Sequence, residues 1–171
     1  MDLRSVLNRI PGPLKQAVKN VLYPELLAVG SPAPRWSLRA HDGTSHALPD
    51  AGWSILVFYP ADDTPGCTMQ LAEFQRHSET LKELGVSVFG MNPATADDHA
   101  AFANKCGLQF PLLVDGEASI ATAYRSALQL PIGTRVIRTV YLVDDAGRVR
   151  MAERGAPSVD TLLAIVKPTQ G

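Results

Sequence analysis

The chain has 171 residues, of which 46% are apolar and 19% are charged, and its formal net charge is −1. This size and composition suit one soluble globular domain, and the balanced charge excludes the clustered basic surface that nucleic-acid binding needs. Cys67 and Cys106 form neither a disulfide framework nor a zinc-ligand pattern. We therefore expect a protein of a reducing compartment, the cytoplasm, that holds no metal.

Residues 1–29 are predicted to form an amphipathic helical extension. Apolar residues recur at helical spacing on both sides of the break at 11–13, with basic side chains between them. The segment has no continuous apolar stretch with a small-residue cleavage site, and no run long enough to span a bilayer. We expect two short helices that pack on the domain. A transit peptide and association with a membrane surface are the alternatives.

A small hairpin is predicted next. Trp36, Leu38 and Ala40 alternate before the Asp42-Gly43 pair, which is a strong hairpin signal. An aromatic residue that alternates along a strand usually belongs to the core, so we expect Trp36 to be buried.

The central stretch joins a strand, a polar loop and a helix. Residues 54–59 are a short apolar run typical of a strand buried on both faces, and Pro60 ends it. Loop formers occupy 62–66, and apolar residues then recur at helical spacing from Thr68 to Leu84. Cys67 therefore lies in the first turn of a helix, where unpaired N–H groups and the helix dipole favour a thiolate.

The rest of the chain alternates between strands and helices, which indicates a βαβ arrangement. The predicted elements are strands at 86–91, 110–114 and 139–143, a helix at 95–105, a helical turn at 120–124, a loop at 129–136, a returning strand at 149–151 and a final helix at 159–166.

Pro60, Thr64 and Cys67 form the pattern Pro-x-x-x-Thr-x-x-Cys, and the surrounding residues read Phe-Tyr-Pro-x-Asp-Asp-Thr-Pro-Gly-Cys-Thr. This wording resembles the active-site motif of the peroxiredoxins, in particular the Q-type or bacterioferritin-comigratory branch, and the resemblance runs from about Gly30 to Asp144. It implies an α/β domain of thioredoxin-like fold over 30–171, with an N-terminal β-hairpin. The helical extension at 1–29 has no counterpart in the typical member.

The resemblance also implies the roles of the site residues. Cys67 would be the peroxidatic cysteine, Thr64 would hydrogen-bond the thiolate and the peroxide, and Pro60 would shield the pocket from water. Arg138, just before the strand at 139–143, would stabilise the thiolate and hold the peroxide through charge-assisted hydrogen bonds. The implied activity is thiol-dependent reduction of hydrogen peroxide or an alkyl hydroperoxide through a cysteine sulfenic acid, without a metal or organic cofactor.

The sequence departs from the family pattern where the oxidised cysteine is regenerated. Many Q-type members carry a resolving cysteine five residues after the first, and this chain has Ala72 there. Cys106, which lies 39 residues after Cys67, is a possible resolving residue. The alternative is a one-cysteine cycle with thioredoxin, glutaredoxin or a small thiol as the reductant. The loop between Tyr124 and Arg138 looks shorter than in the typical family member. We expect the protein to be a monomer or a homodimer.

Two other functions fit the sequence less well. A thioredoxin-like thiol-disulfide oxidoreductase would need a Cys-x-x-Cys pair, whereas Cys67 is followed by Thr68, Met69 and Gln70. A non-catalytic module of the same fold would most naturally have lost the cysteine, the threonine or the arginine. The four histidines have no metal-ligand spacing and are expected on the surface. Asp62 and Asp63 are left outside the catalytic set, because neighbouring loop residues normally point apart.

Overall fold

The structure is a computed structural model that describes residues 9–49 and 51–167, without the side chains at 19–21. In chain order its elements are α1 (Gly12–Leu22), β1 (Ser37–Arg39), β2 (Ser45–Ala47), β3 (Trp53–Phe58), α2 (Pro65–Arg76), α3 (Ser78–Glu83), β4 (Val86–Asn92), α4 (Ala96–Cys106), β5 (Leu112–Val114), a 3-10 turn (Gly116–Ala118), α5 (Ser119–Ala123), β6 (Ala127–Leu130), β7 (Gly133–Val136), β8 (Thr139–Val143), β9 (Val149–Arg154) and α6 (Val159–Val166).

A five-stranded sheet in the order β5-β4-β3-β8-β9 forms the centre of the molecule. Strands β3, β4 and β5 are parallel, whereas β8 and β9 run antiparallel to their neighbours. Two further pairs, β1 with β2 and β6 with β7, are antiparallel hairpins. This mixed sheet confirms the predicted thioredoxin-like fold with an N-terminal hairpin.

Strand β3 is buried along its whole length because each of its faces packs against a separate layer. Ile55 and Val57 belong to the cluster that the helices α2, α3, α4 and α6 cover. Leu56 and Phe58 belong to the opposite cluster, which the N-terminal hairpin, α5 and β6 cover. Trp36 lies in this second cluster with 5% of its surface exposed, as its alternating position predicts.

Two predicted elements were wrong. The single helix predicted from Thr68 to Leu84 is interrupted at His77, which adopts φ −97° and ψ 9° and ends α2 before α3 begins. The loop predicted at 129–136 is instead most of a hairpin, which β6 and β7 form over residues 127–136. Pro131 lies in its turn and Gly133 has φ 127° where β7 begins, so both breakers fall at the turn instead of interrupting a strand.

Smaller differences concern strand ends. β5 begins at Leu112, after Pro111, which lacks a backbone N–H for the ladder. β9 runs on to Arg154, past its predicted end, because it pairs with the whole of β8. The helix α4 has both predicted ends within one residue, since Thr95 accepts a hydrogen bond from the N–H of Asp98 and Gly107 ends the helix in the left-handed conformation.

The N-terminal segment meets the sheet through residues 23–33. The first predicted helix falls mainly on residues 1–8, outside the described part of the chain. The second is α1, where Leu14 and Leu22 are 56% and 50% exposed. The residues that follow α1 pack on the domain. There Leu26 and Leu27 pack against the second cluster, and the Arg154 guanidinium lies 5.7 Å from the centre of the Tyr23 ring.

Backbone hydrogen bonds fix the end of this segment to β9, which is an edge strand. Gly30 N–H donates to Val149 carbonyl at 2.7 Å, and Val149 N–H donates back to Ser31 carbonyl at 2.9 Å. Ala33 N–H donates to Gly147 carbonyl. In the described part of the chain, no helix is long and apolar enough to cross a membrane.

Candidate active site

The site forms where the parallel strands β3 and β4 end, the edge at which α/β sheets usually bind ligands. Tyr59 and Pro60 leave β3, and the chain turns through Asp63, which has φ 54°. Thr64 is extended and precedes α2, and Pro65 occupies the first helical turn, where its fixed φ and missing N–H are tolerated. This local sequence places Cys67 in the first turn of α2, as predicted, with no exposed surface.

Arg138 provides the nearest positive charge to Cys67. Its Nη2 atom donates to the Cys67 Sγ at 3.1 Å, and its Nη1 atom donates to Gln70 Oε1 at 2.6 Å. A Cβ atom at position 66 would lie 3.2 Å from Arg138 Nη2, so Gly66 leaves room for the guanidinium. Arg135, an arginine three residues earlier in the chain, lies exposed on β7. The structure thus brings Arg138 and Cys67 together and leaves Arg135 apart.

Gln70 is a residue of the candidate site that the sequence did not indicate. A glutamine in a helix is expected on the polar, exposed side, but Gln70 is 5% exposed. Its Oε1 atom accepts from Arg138, and its Nε2 atom lies 3.4 Å from the Gly155 carbonyl. Its position three residues after Cys67, on the same side of α2, was the available signal.

Thr64 and Pro60 border the cysteine loop. The Thr64 hydroxyl donates to the Ala61 carbonyl at 3.3 Å, and among the described hydrogen bonds it has none to the Cys67 sulfur. Pro60 is partly buried and lines a cavity of about 540 Å³ between the loop and α4. Both residues therefore lie on the loop that leads to Cys67, and the expected hydrogen bond between Thr64 and the sulfur is not among those that the structure describes.

Asp62 and Asp63 point apart, as predicted. Asp63 is exposed and pairs with Lys105 of α4 at 2.7 Å. Asp62 points inward, and its Oδ1 atom accepts from the Tyr59 hydroxyl at 2.7 Å and from Asn92 Nδ2 at 3.0 Å. Burial alone would raise the pKa of the Asp62 carboxyl, but the hydrogen bonds that it accepts outweigh burial and hold this pKa below its usual value.

His99 corrects the prediction that the histidines lie on the surface. It is completely buried on α4, and its Nδ1 atom lies 2.7 Å from Asp62 Oδ2. His99 and the buried Phe102 lie three residues apart on one side of α4, and this spacing was the available signal, but the polar side chain of His99 favoured a surface position. His41, His46 and His77 are partly exposed. Among the described residues, no group of three His, Cys, Asp or Glu side chains could hold a metal ion.

Cys106 is the last residue of α4 and is partly buried against the same core cluster that contains Cys67. Both cysteines are free thiols. The neighbouring Lys105 reaches Asp63 in the cysteine loop, so the end of α4 lies near that loop. Ala72, which occupies the position of the resolving cysteine expected from the resemblance, is partly buried in α2.

Comparisons with known proteins agree with this geometry. The AhpC/TSA family model matches residues 29–152. Peroxiredoxin Bcp of Bacillus subtilis is 33% identical over 129 residues, 72% of this chain and 82% of that protein. Peroxidoxin BcpB from Mycobacterium tuberculosis has a TM-score of 0.78 at 25% identity, over 83% of this chain and 97% of that one. Xanthomonas campestris bacterioferritin comigratory protein, whose structure concerns alkyl peroxide reduction, has a TM-score of 0.72 at 26% identity, over 80% and 92%.

Proposed function

The chain belongs to the AhpC/TSA family, in its Q-type peroxiredoxin branch, and from this premise we propose that Cys67 reduces peroxides as the peroxidatic residue. The observation that carries the proposal is the 3.1 Å hydrogen bond from Arg138 to the Cys67 sulfur at the start of a helix. A guanidinium and a helix N-terminus both favour the thiolate, which is the nucleophilic form of cysteine.

The reaction is a displacement on oxygen. The Cys67 thiolate attacks one peroxide oxygen, and the S–O bond forms as the O–O bond breaks. Cysteine is oxidised by two electrons to the sulfenic acid, while the departing oxygen takes up a proton and leaves as water or an alcohol. Negative charge develops on that oxygen, so Arg138 and the N–H groups at the start of α2 act as a preorganised electrostatic site.

Thr64 and Pro60 complete the proposed site. In the structure Thr64 Oγ1 bonds to Ala61, and rotation about its χ1 bond would redirect the hydroxyl toward a bound peroxide. Pro60 lies at the end of β3, where its ring removes a backbone donor and limits access of water. Hydrogen peroxide and alkyl hydroperoxides are the proposed substrates, because this arrangement binds the peroxide group itself.

Cys67→Ser tests the central claim. The substitution keeps the shape of the side chain while removing the thiolate, so peroxide consumption with a dithiol reductant should fall to the level of the buffer. Far-ultraviolet circular dichroism should be unchanged, and Cys106→Ser serves as the matched thiol control. If Cys67→Ser retains the wild-type rate in stopped-flow turnover, Cys67 is not the peroxidatic residue.

Regeneration of Cys67 is proposed to use an external thiol: thioredoxin, glutaredoxin or a small thiol. A thiol reductant is abundant in a reducing compartment, which is why we propose the cytoplasm as the location. A second route uses Cys106, and the pairing of Lys105 with Asp63 favours it because the end of α4 is close to the cysteine loop. A disulfide requires the two Cα atoms to come within about 7 Å, and because Cys67 is completely buried, this route is proposed to include local unfolding at the start of α2.

Mass spectrometry after one equivalent of hydrogen peroxide distinguishes the two routes. A persistent Cys67 sulfenic acid that reacts with a trapping reagent, with Cys106 still free, supports the external thiol. A peptide that contains a disulfide between Cys67 and Cys106 establishes the internal route and contradicts the one-cysteine cycle.

A further inference from the structure

A buried pair of side chains connects α4 to the loop that leads to Cys67. The Nδ1 atom of His99 lies 2.7 Å from Asp62 Oδ2, and its Nε2 atom lies 3.2 Å from the Leu113 carbonyl on β5. His99 has no exposed surface, and the Asp62 side chain is 10% exposed. Both ring nitrogens therefore face oxygen atoms in a site with little access to water.

The geometry defines the protons that this pair must hold. A backbone carbonyl can only accept a hydrogen bond, so His99 Nε2 must carry a proton. The remaining nitrogen, Nδ1, lies 2.7 Å from a carboxylate oxygen of Asp62, which also accepts, and 3.4 Å from the Tyr59 hydroxyl. The hydroxyl already donates to Asp62 Oδ1 over the shorter distance of 2.7 Å, so a proton must lie between His99 Nδ1 and Asp62 Oδ2. Asp62 Oδ1 already accepts two hydrogen bonds, from Tyr59 and Asn92. This arrangement favours the ionised carboxylate, and the shared proton then belongs to the histidine, which is an imidazolium.

We propose that His99, protonated on both ring nitrogens, is a positioning residue for peroxide reduction: through Asp62 it holds the cysteine loop against α4. The proposal rests on the proposed peroxidase function of Cys67. Asp62 lies two residues before Thr64 and five before Cys67, so its attachment limits movement of the loop and of the start of α2. His99 would act through the loop and would not itself contact the peroxide or the sulfur.

The bond is sensitive to pH because it depends on one proton. Removal of that proton leaves the lone pair of Nδ1 opposite a carboxylate oxygen at 2.7 Å, and two acceptors at that distance repel each other. Loss of that proton should therefore release the loop from α4. The cavity of about 540 Å³ beside the loop is lined by Asp62 and Asn92, so solvent reaches the pair only on the Asp62 side.

Other titratable groups lie around His99 and Asp62, among them Tyr59, Cys67, Asp98 and Lys105. Tyr59, from the end of β3, is a donor to Asp62, and burial followed by the charge of Asp62 raises its pKa far above the usual value. The field of Cys67 also acts on Tyr59. Asp98 and Lys105 of α4 line the cavity. Lys105 pairs with Asp63, and this hydrogen bond raises the Lys105 pKa. Loss of the Lys105 proton is therefore the other possible cause of a fall in the oxidation rate as pH rises.

Nitrogen NMR of the histidine side chains in the wild-type chain tests the protonation state directly. At neutral pH, His99 should show two protonated ring nitrogens. A single protonated nitrogen on His99 at neutral pH overturns the proposal. This measurement does not depend on peroxidase activity, so it remains decisive even if turnover shows the proposed function to be wrong.

His99→Gln tests the positioning role, because glutamine can satisfy only one of the two acceptors well. Single-turnover oxidation of Cys67 should be about tenfold slower at neutral pH. As pH is raised, the wild-type rate should fall in step with the loss of the His99 proton that NMR detects, and His99→Gln should lack this fall. Lys105→Gln, which removes the exposed connection between the same loop and helix, should keep the wild-type rate and profile.

Hydrogen exchange of the loop amides at 61–68 provides the second measurement. Exchange should be faster in His99→Gln and in Asp62→Asn than in Lys105→Gln. Asp62→Asn serves as the independent variant if His99→Gln does not fold. Unchanged oxidation rates, pH profiles and loop exchange in folded variants of His99 and Asp62 would overturn the proposal.

Discussion

The guanidinium of Arg138 has two partners, and each has a separate consequence. One nitrogen stabilises the sulfur of Cys67, and the other is held by Gln70 at 2.6 Å. A planar guanidinium fixed at one nitrogen has little freedom to rotate away from the sulfur, so Gln70 would preorganise the charge for the proposed reaction.

Arg138→Ala should lower the thiolate fraction of Cys67 at neutral pH and slow peroxide attack by about a hundredfold. The thiolate loses its nearest full positive charge. Ultraviolet thiolate absorbance in a Cys106→Ser background measures the first effect, and stopped-flow oxidation measures the second. Arg135→Ala is the matched control and should behave like the wild type. Equal effects of the two arginine substitutions would show that charge near the sulfur is not the cause.

Gln70→Met should slow the same oxidation step by about tenfold, with Arg138 still present. Methionine has nearly the same volume but cannot accept from the guanidinium, so Arg138 is held less firmly. Gln75→Met, a partly exposed glutamine of the same helix, is the control. A Gln70→Met rate equal to that of the control would mean that Arg138 needs no support.

The positions of Cys67 and Arg138 were predictable because a motif fixed the first and a strand boundary fixed the second, and the structure brings the two together. Gln70 and His99 were missed because residue type alone assigns polar side chains to the surface, whereas both are buried with hydrogen-bond partners far along the chain. Those partners are Gly155 and Leu113, and no local pattern indicates them. The side-chain rotamer of Thr64 is likewise set by its surroundings.

At the scale of elements, close packing of β4 against its neighbours supports the site. A Cβ atom at Gly90 would lie 2.7 Å from Leu112 Cδ2 and 3.2 Å from Tyr59 Cε1. Glycine at this position allows the Tyr59 ring to cross β4 and reach Asp62 with its hydroxyl. The absence of a side chain on one strand thus determines the position of a hydrogen-bond donor on the next.

Gly90→Ala should lower the free energy of unfolding by about 1–3 kcal/mol, because the added methyl group overpacks a filled core. Urea denaturation measures this change. Gly116→Ala is the control, since no atom lies within 4 Å of a Cβ built there, and its effect should be small. A Gly90→Ala protein as stable as the control would show that Leu112 and Tyr59 move aside freely.

Strands that are continuous apolar runs were predictable from the sequence, whereas turns and helix breaks were less predictable. The runs that became β3, β4 and β8 are continuous apolar stretches, and all three were predicted within two residues. The hairpin of β6 and β7 was missed because Pro131 and Gly133 suggested an irregular loop. The break at His77 was missed because apolar spacing continues through α2 and α3 on one side, and His77 Nδ1 contacts the Glu73 carbonyl only once the turn has formed.

At the scale of the whole molecule, Arg154 connects the N-terminal segment with the end of the sheet. Its guanidinium donates to the carbonyls of Pro24 at 2.6 Å and Arg125 at 2.9 Å, and to the Thr139 hydroxyl at 2.8 Å. Burial lowers the Arg154 pKa from its ordinary value. We therefore infer that residues 23–29 stabilise the domain that was predicted to begin at residue 30.

Removal of residues 1–22 should leave the free energy of unfolding almost unchanged, whereas Arg154→Met should lower it by about 1–3 kcal/mol. The first change removes α1, whose Leu14 and Leu22 are exposed, and the second leaves three acceptors without their donor. Chemical denaturation of both proteins measures the difference. The boundary predicted at residue 30 would be supported over ours if a chain shortened to residue 30 were as stable as the wild type.

Stability in acid should depend on Asp62. Its pKa is lower in the folded chain than in the unfolded one, so its contribution is present above the unfolded value of about 3.9 and is lost as pH falls through the folded value. Asp62→Asn should therefore lower stability at neutral pH and flatten its decline in acid, as measured by urea unfolding across this range. Asp63→Asn, an exposed neighbour, should keep the wild-type slope.

The attachment of residues 30–33 to the start of β9 also matters for self-association. Strand β9 is at the edge of the sheet, and an open edge presents unpaired N–H and C=O groups that another chain can pair with. The bonds that join Gly30 and Ser31 to Val149 occupy some of these groups from within the same molecule. A proteolytic cut that released this segment would therefore expose a template for aggregation at the far side of the sheet from β5.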